Sequence, residues 1–156
     1  MKTLNVKDDV KSIYNPIKQV VQDSDFSTEN LKALADFWPV FANPKFRWEI
    51  ENTIEPKSKK EFTMPQRIWD KEATTFHKMV YEQEWVVDFD WTGWVETKEF
   101  KKMMDSQNGI ETATPVQLAK LITALVRKER FCEGTLSEAA TSGLLERITR
   151  RASQLI

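Results

Sequence analysis

Cysteine, histidine and glycine are scarce in this chain. A single cysteine and a single histidine among 156 residues leave one chain no internal disulfide and exclude a zinc site built mainly from those two residue types. Four glycines argue against a Gly-rich phosphate loop and against a turn-dense β architecture. No apolar run reaches the length of roughly 18 residues that a membrane span needs. The opening MKTLNVKDDV lacks the apolar stretch of a secretory signal, so cytoplasmic residence is expected. Net charge is −1, which supplies no global field towards nucleic acid or a membrane.

What is present describes an ordinary globular chain. Hydrophobic residues make up 40% and charged residues 30%, and the length suits one domain with a sizeable core. Six tryptophans, two tyrosines and nine phenylalanines are too many for a solvated coil. The charge is uneven. From Asp70 to Glu111, ten acids face five lysines, and from Pro115 to Ile156, seven bases face four acids. These are either two surfaces that complement each other within the fold, or two faces for different partners.

Periodicity predicts a mainly α, single helical domain over 27–156, preceded by an amphipathic helical appendage over 1–26. In the appendage Val6, Val10, Ile13, Ile17, Val20 and Val21 recur at helical spacing, broken at Asn15-Pro16. Ser27 caps the next helix, and Pro39 should kink or end it near Trp38. Phe46, Trp48 and Ile50, then Phe62 and Met64, alternate instead, and predict a small β-hairpin near 46–64. Asp70 caps a helix reaching about Trp85, with Phe76, Met79 and Val80 on one face. Thr92 to Met104 reads as one short helix, and Gln107-Asn108-Gly109 as a turn.

The last third is the most regular. Thr114, Pro115 and Gln117 form a capping box with proline at the first helical position. The helix that follows carries Leu118, Leu121, Ile122, Leu125, Val126 and Cys132 on one face, and Gly134 should end it. Thr135 and Glu138 predict a second capping box. The final helix, with Leu144, Leu145, Ile148, Ala152 and Leu155 among its apolar positions, should return as an antiparallel helical hairpin. Cys132, lying in that apolar pattern, reads as a buried thiol.

The polar residues of LVRKERFCEG, 125–134, stand out. On a wheel of about 100° per residue, Glu129 falls within the apolar stripe, Glu133 lies one turn beyond, Arg130 sits about 100° away and Arg127 is on the far side. A carboxylate on an apolar stripe needs a cation or a donor. Arg127, Glu129, Arg130 and Glu133 therefore form a candidate polar site with two readings. One is a structural lock, with Arg130 pairing Glu133 at i, i+3 and Glu129 accepting from backbone amides or a distant arginine. The other is a pocket in which a carboxylate acts as acid, base or ligand-binding group. Trp48, Trp69, Trp91 and Trp94 form a candidate binding surface, set against the plainer expectation that most tryptophans build core.

Weaker signals complete the set. Asp88 and Asp90 would share one side of an extended segment, as would Glu49 and Glu51, which could suit Mg²⁺. Capping of the next helix by Asp88 or Asp90 is the simpler expectation. His77 has no nucleophile at a diagnostic spacing. Arg147, Arg150 and Arg151 form a basic stripe that suits phosphates, an acidic partner or the helix dipole. No metal or cofactor is expected.

The blocks FWPVF (37–41), Asn43-Pro44, Phe46, MPQRIW (64–69), VVDFDW (86–91) and LITALVRKERFCEGTL (121–136), followed by Ser142-Gly143-Leu144-Leu145, resemble an uncharacterised bacterial family of unknown function, DUF6508, from about residue 31 to 150. The hallmark block matches at Arg127, Glu129, Arg130, Phe131, Glu133 and Gly134. The resemblance implies a mostly helical bacterial or phage protein, and brings no established activity with it. The expected function is a protein-interaction module whose partner is another protein, with neither nucleic acid nor membrane. The alternative is a small enzyme using Arg127, Glu129, Arg130 and Glu133 with Trp-lined substrate contacts.

Overall fold

The computed structural model describes residues 21–50, 67–105 and 108–156. The predicted stripe from Val6 to Val20, the alternation at Phe62 and Met64, and Glu51 lie outside the described residues.

The described body is mainly helical. A short 3₁₀ turn, Asp23–Asp25, is tied to the far end of the domain, because the Asp23 carboxylate accepts from the Val116 amide at 3.0 Å. Helix α1, Thr28–Ala35, starts from a capping box between Ser27 and Asn30. The chain breaks at Phe37, and α2, Trp38–Ala42, begins with Pro39 in its first turn, where a missing N–H costs nothing. Strands β1, Glu49–Ile50, and β2, Ile68–Trp69, pair antiparallel with Glu49 opposite Trp69. The hairpin is thus present, with its second strand a few residues later than the alternation at 62–64 suggested.

Helix α3, Lys71–Glu82, is capped by the Asp70 carboxylate and buries Ala73, Phe76 and Val80. It ends earlier than Trp85. Glu84 adopts φ +61°, and the Trp85 amide returns to the Val80 carbonyl at 2.8 Å while the Glu84 amide reaches Tyr81 at 3.2 Å. This is a Schellman ending with glutamate in the position that favours glycine. It turns Trp85 into the core, where the indole stacks on Phe26 at 4.5 Å and donates to the Asn30 carbonyl.

The single helix expected over 92–104 is two: α4, Trp91–Trp94, and α5, Lys98–Asp105. Thr97 divides them, since its hydroxyl donates to the Trp94 carbonyl and accepts from the Phe100 amide, offering the backbone an alternative to continuing the turn. Asp90 caps α4 through Gly93 and binds the Thr92 hydroxyl, which lowers its pKa. That carboxylate therefore serves a helix start.

Helix α6, Pro115–Glu129, begins with the predicted Thr114 capping box. It is central: Leu118, Ala119, Leu121, Ile122, Thr123, Ala124 and Val126 are all buried. The buried Thr123 hydroxyl donates to the Ala119 carbonyl and accepts from the Val87 amide, so it leaves no orphan polar atom. Helix α7, Thr135–Thr141, packs on α6. The return arm of the predicted hairpin does not run on. Gly143 at φ +85° breaks it, and α8, Leu144–Gln154, packs chiefly on α1 and α2.

Two aromatic blocks complete the core. Phe37, Phe41, Trp48 and Phe76 meet in one, with edge contacts of 4.9 Å between Phe41 and Phe76 and 5.2 Å between Phe37 and Phe76. Phe89, Trp94 and Phe100 form the other, with the Lys120 ammonium over the Trp94 ring at 6.0 Å. The acidic and basic stretches meet here, where Lys120 pairs with Glu99 at 3.6 Å, and again where Arg150 approaches Glu111 at 3.9 Å. No helix among the described residues is long and apolar enough to cross a membrane.

Candidate functional site

The polar segment after α6 folds into a tight turn. The helix stops at Glu129 rather than at Gly134, and the amides of Phe131 and Cys132 both return to the Lys128 carbonyl, at 2.9 and 2.8 Å. Gly134 is instead the cap position of α7, at φ +96°. Thr135 does not cap that helix; its hydroxyl donates to the Cys132 carbonyl. The capping is done from a distance. One Glu129 oxygen accepts from the Gly134 amide at 3.0 Å and the other from the Leu136 amide at 2.9 Å. A negative charge at a helix N-terminus is favourable on both hydrogen-bond and dipole grounds. This is why a carboxylate sits on the apolar side of α6.

The other polar residues of the segment have separate partners. Arg130 does not pair with Glu133; it points to the Tyr81 hydroxyl at 3.4 Å. Glu133 is instead approached by Arg67 at 3.5 Å, and Arg67 also holds Glu49 at 3.0 Å. One guanidinium thus links β1, the residue before β2, and the turn. Its Nη1 lies 3.0 Å from where a Gly134 Cβ would stand, a contact that the end of a flexible side chain can relieve, so it is the φ of +96° that calls for glycine there. Arg127 is partly buried and makes no ion pair with Glu129 or Glu133 among the described residues. Arg67 and Tyr81 escaped the sequence reading, because neither lies on a periodic stripe and both meet the turn from far away in sequence.

Outward from this frame, Phe131 is 78% exposed. Cys132 is exposed as well, contrary to the expected buried thiol. The helix ends before Cys132, so the wheel that placed it on the apolar face does not extend that far.

Beside the turn runs an aromatic row. Trp69 meets His77 at 5.1 Å, and His77 meets Tyr81 at 5.3 Å, both edge-on. Burial lowers the His77 pKa, with the Glu129 carboxylate opposing the shift and Arg130 reinforcing it.

The tryptophans separate. Trp48 is 2% and Trp94 7% exposed, so neither belongs to a binding surface: Trp48 is enclosed by Phe41, Trp69 and Phe76, and Trp94 donates to the Glu99 carboxylate at 2.6 Å. Trp69 and Trp91 are partly buried against the core. The most exposed tryptophan is Trp38, at 37%, which was not among the surface candidates. A cleft of about 590 Å³ lies beside α2 and β1, lined in part by Val40, Phe46, Arg47 and Ile50 and by no tryptophan.

Fold and site define a small helical domain that presents a braced, partly apolar turn. The chain belongs to the family described as "Family of unknown function (DUF6508)", which matches residues 26–156. That match begins at Phe26, the first buried residue of the described body. No curated protein and no solved structure matches the chain.

Proposed function

We propose that this protein is a non-catalytic binding module that docks another protein through the turn Arg130–Glu133. The observation that supports it is Phe131. A phenylalanine left in water forgoes about 1.5–3 kcal/mol of burial, and this one stands on a turn fastened from inside by Glu129 and from outside by Arg67. A rigid apolar anchor with charged neighbours has the form of an interface hot spot. Arg130 on one side and Glu133 on the other call for a partner with an apolar pocket edged by both charges. The carboxylates support this reading over the pocket enzyme: both Glu129 oxygens are held by amides, and the Glu133 side chain is 77% exposed.

The test uses the full chain as bait in its native extract, followed by titration of the purified captured partner. Wild type should bind, Phe131→Leu should bind several-fold more weakly, and Phe131→Ser should lose at least tenfold, with the urea midpoint unchanged in both variants. Equal binding by all three, or loss of stability in Phe131→Ser, would overturn the proposal.

A further inference from the structure

The cleft of about 590 Å³ beside α2 and β1 is separate from the docking turn. Val40, Phe46 and Ile50 give it an apolar floor, and Ile50 is 46% exposed. Covering that floor would stabilise a contact. Two of the charges at the cleft are already engaged. The Arg47 guanidinium donates to the Pro44 and Phe46 carbonyls at 3.0 and 2.8 Å, and the Asp70 carboxylate caps α3 through the Glu72 amide at 2.8 Å. Lys45 and Glu72 also line the cleft. Both are exposed, and neither has an ion pair among the described residues. The cleft therefore offers an apolar floor with one available cation and one available anion.

The turn at Phe131 is its counterpart. It presents an apolar ring, 78% exposed, between Arg130 and Glu133. Docked into the cleft, the ring would lie on Val40, Phe46 and Ile50, with Arg130 against Glu72 and Glu133 against Lys45. The volume admits a phenyl ring and the edges of its turn. The two features stand on different sides of one molecule. Glu49 holds Arg67, which reaches Glu133 on the turn, whereas Ile50 lines the cleft. Successive strand residues point to opposite faces, so the hairpin separates the turn from the cleft.

We infer that the partner docked by the Phe131 turn is a second copy of this chain, which receives it in this cleft. The inference rests on the docking turn proposed above and names its partner. With turn and cleft on opposite faces, the contact is head-to-tail. Each joined pair leaves one cleft and one turn free, and association continues past two copies. One apolar anchor and two exposed ion pairs make a small and weak contact.

The test is sedimentation equilibrium of the purified full chain from about 10 µM to about 1 mM, the range of weak contacts. The mean mass should rise with concentration beyond that of two copies. Phe131→Ser removes the anchor and Ile50→Ser weakens the floor, so each variant alone should lose at least tenfold in association. Mixed in equal amounts, the two should form a heterodimer and nothing larger, because only one intact turn and one intact cleft remain. Lys45→Glu and Glu133→Lys, both at exposed side chains, should each weaken association several-fold, and the chain carrying both should regain it. This second pair decides the matter even where Ile50→Ser lowers the urea midpoint. A wild type that stays monomeric up to about 1 mM, folded variants that form no heterodimer, or a double charge variant no better than the single ones would overturn the inference. A monomeric wild type that still binds a foreign partner through Phe131 overturns the self-docking alone. Phe131→Ser equal to wild type in both assays overturns the docking turn as well.

Discussion

Glu129 spends both oxygens on the backbone at the start of a helix whose cap, Gly134, lies five residues later. Hydrogen bonds to an ionised acceptor contribute about 1.5–3 kcal/mol each at most, and removal also leaves two amides to find water. Glu129→Ala should therefore lower stability by about 2–3 kcal/mol in urea unfolding, and Glu129→Gln, which keeps one acceptor, by roughly half as much. His77 reports on the same place, and as the single histidine its imidazole gives one unambiguous proton resonance. Its folded pKa lies below 6.5 because of burial. As pH falls below 6.5 the unfolded chain takes the proton first, so this group's contribution is complete above that value and is lost as pH drops through the folded pKa. An NMR titration should show the midpoint fall further in Glu129→Gln and rise in Arg130→Gln. The opposite pair of shifts would mean that the two charges do not face the ring as described. The wheel flagged Glu129 correctly as a carboxylate needing donors. The donors themselves were legible only as one of two options, because the turn that brings Gly134 and Leu136 back to it is not periodic.

Helix starts were the most readable elements, and breaks the least. Ser27, Asp70 and Thr114 cap where the sequence suggested, since a short oxygen side chain before an apolar period has one economical use. The breaks at Thr97 and Gly143 were missed: one depends on a hydroxyl choosing its own backbone, the other on a glycine amid strong helix formers. The end of α3 is a third case. A glutamate in the left-handed region there is strained by about 1–2 kcal/mol, and it persists because Trp85 beyond it is fully buried. Glu84→Gly relieves that strain and gives back part of it as backbone entropy. The net expectation is a gain of up to about 1 kcal/mol in thermal or urea unfolding.

At the scale of the molecule, the mainly helical class followed from the composition and the apolar periods, and the scarcity of glycine agreed with it. The aromatic count predicted a core of rings but not which rings. Trp48, Trp69, Trp91 and Trp94 were candidates for a surface, yet two of them are interior: the Trp94 N–H donates to Glu99, whereas the Trp48 N–H has no acceptor among the described residues, so the polar atom of an indole did not mark which ring faces water. Phe76 joins Phe37, Phe41 and Trp48, so Phe76→Ala should cost about 3–5 kcal/mol, whereas exposed positions should stay within about 0.5 kcal/mol. A calorimetric loss below 1 kcal/mol for Phe76→Ala would show that the ring block is not the centre of the core.

The packing of α8 on α1 and α2 also sets an order of events during synthesis. Helices α1 and α2 leave the ribosome well before α8, whose surface they cover. Until α8 emerges, the faces of α1 and α2 that pack on it lack that partner, although Phe41 can already meet Phe46, Trp48 and Phe76. Contacts so distant in sequence slow folding and lengthen exposure to wrong partners. Arrival of α8, rather than formation of the central α6, is then the step that covers α1 and α2.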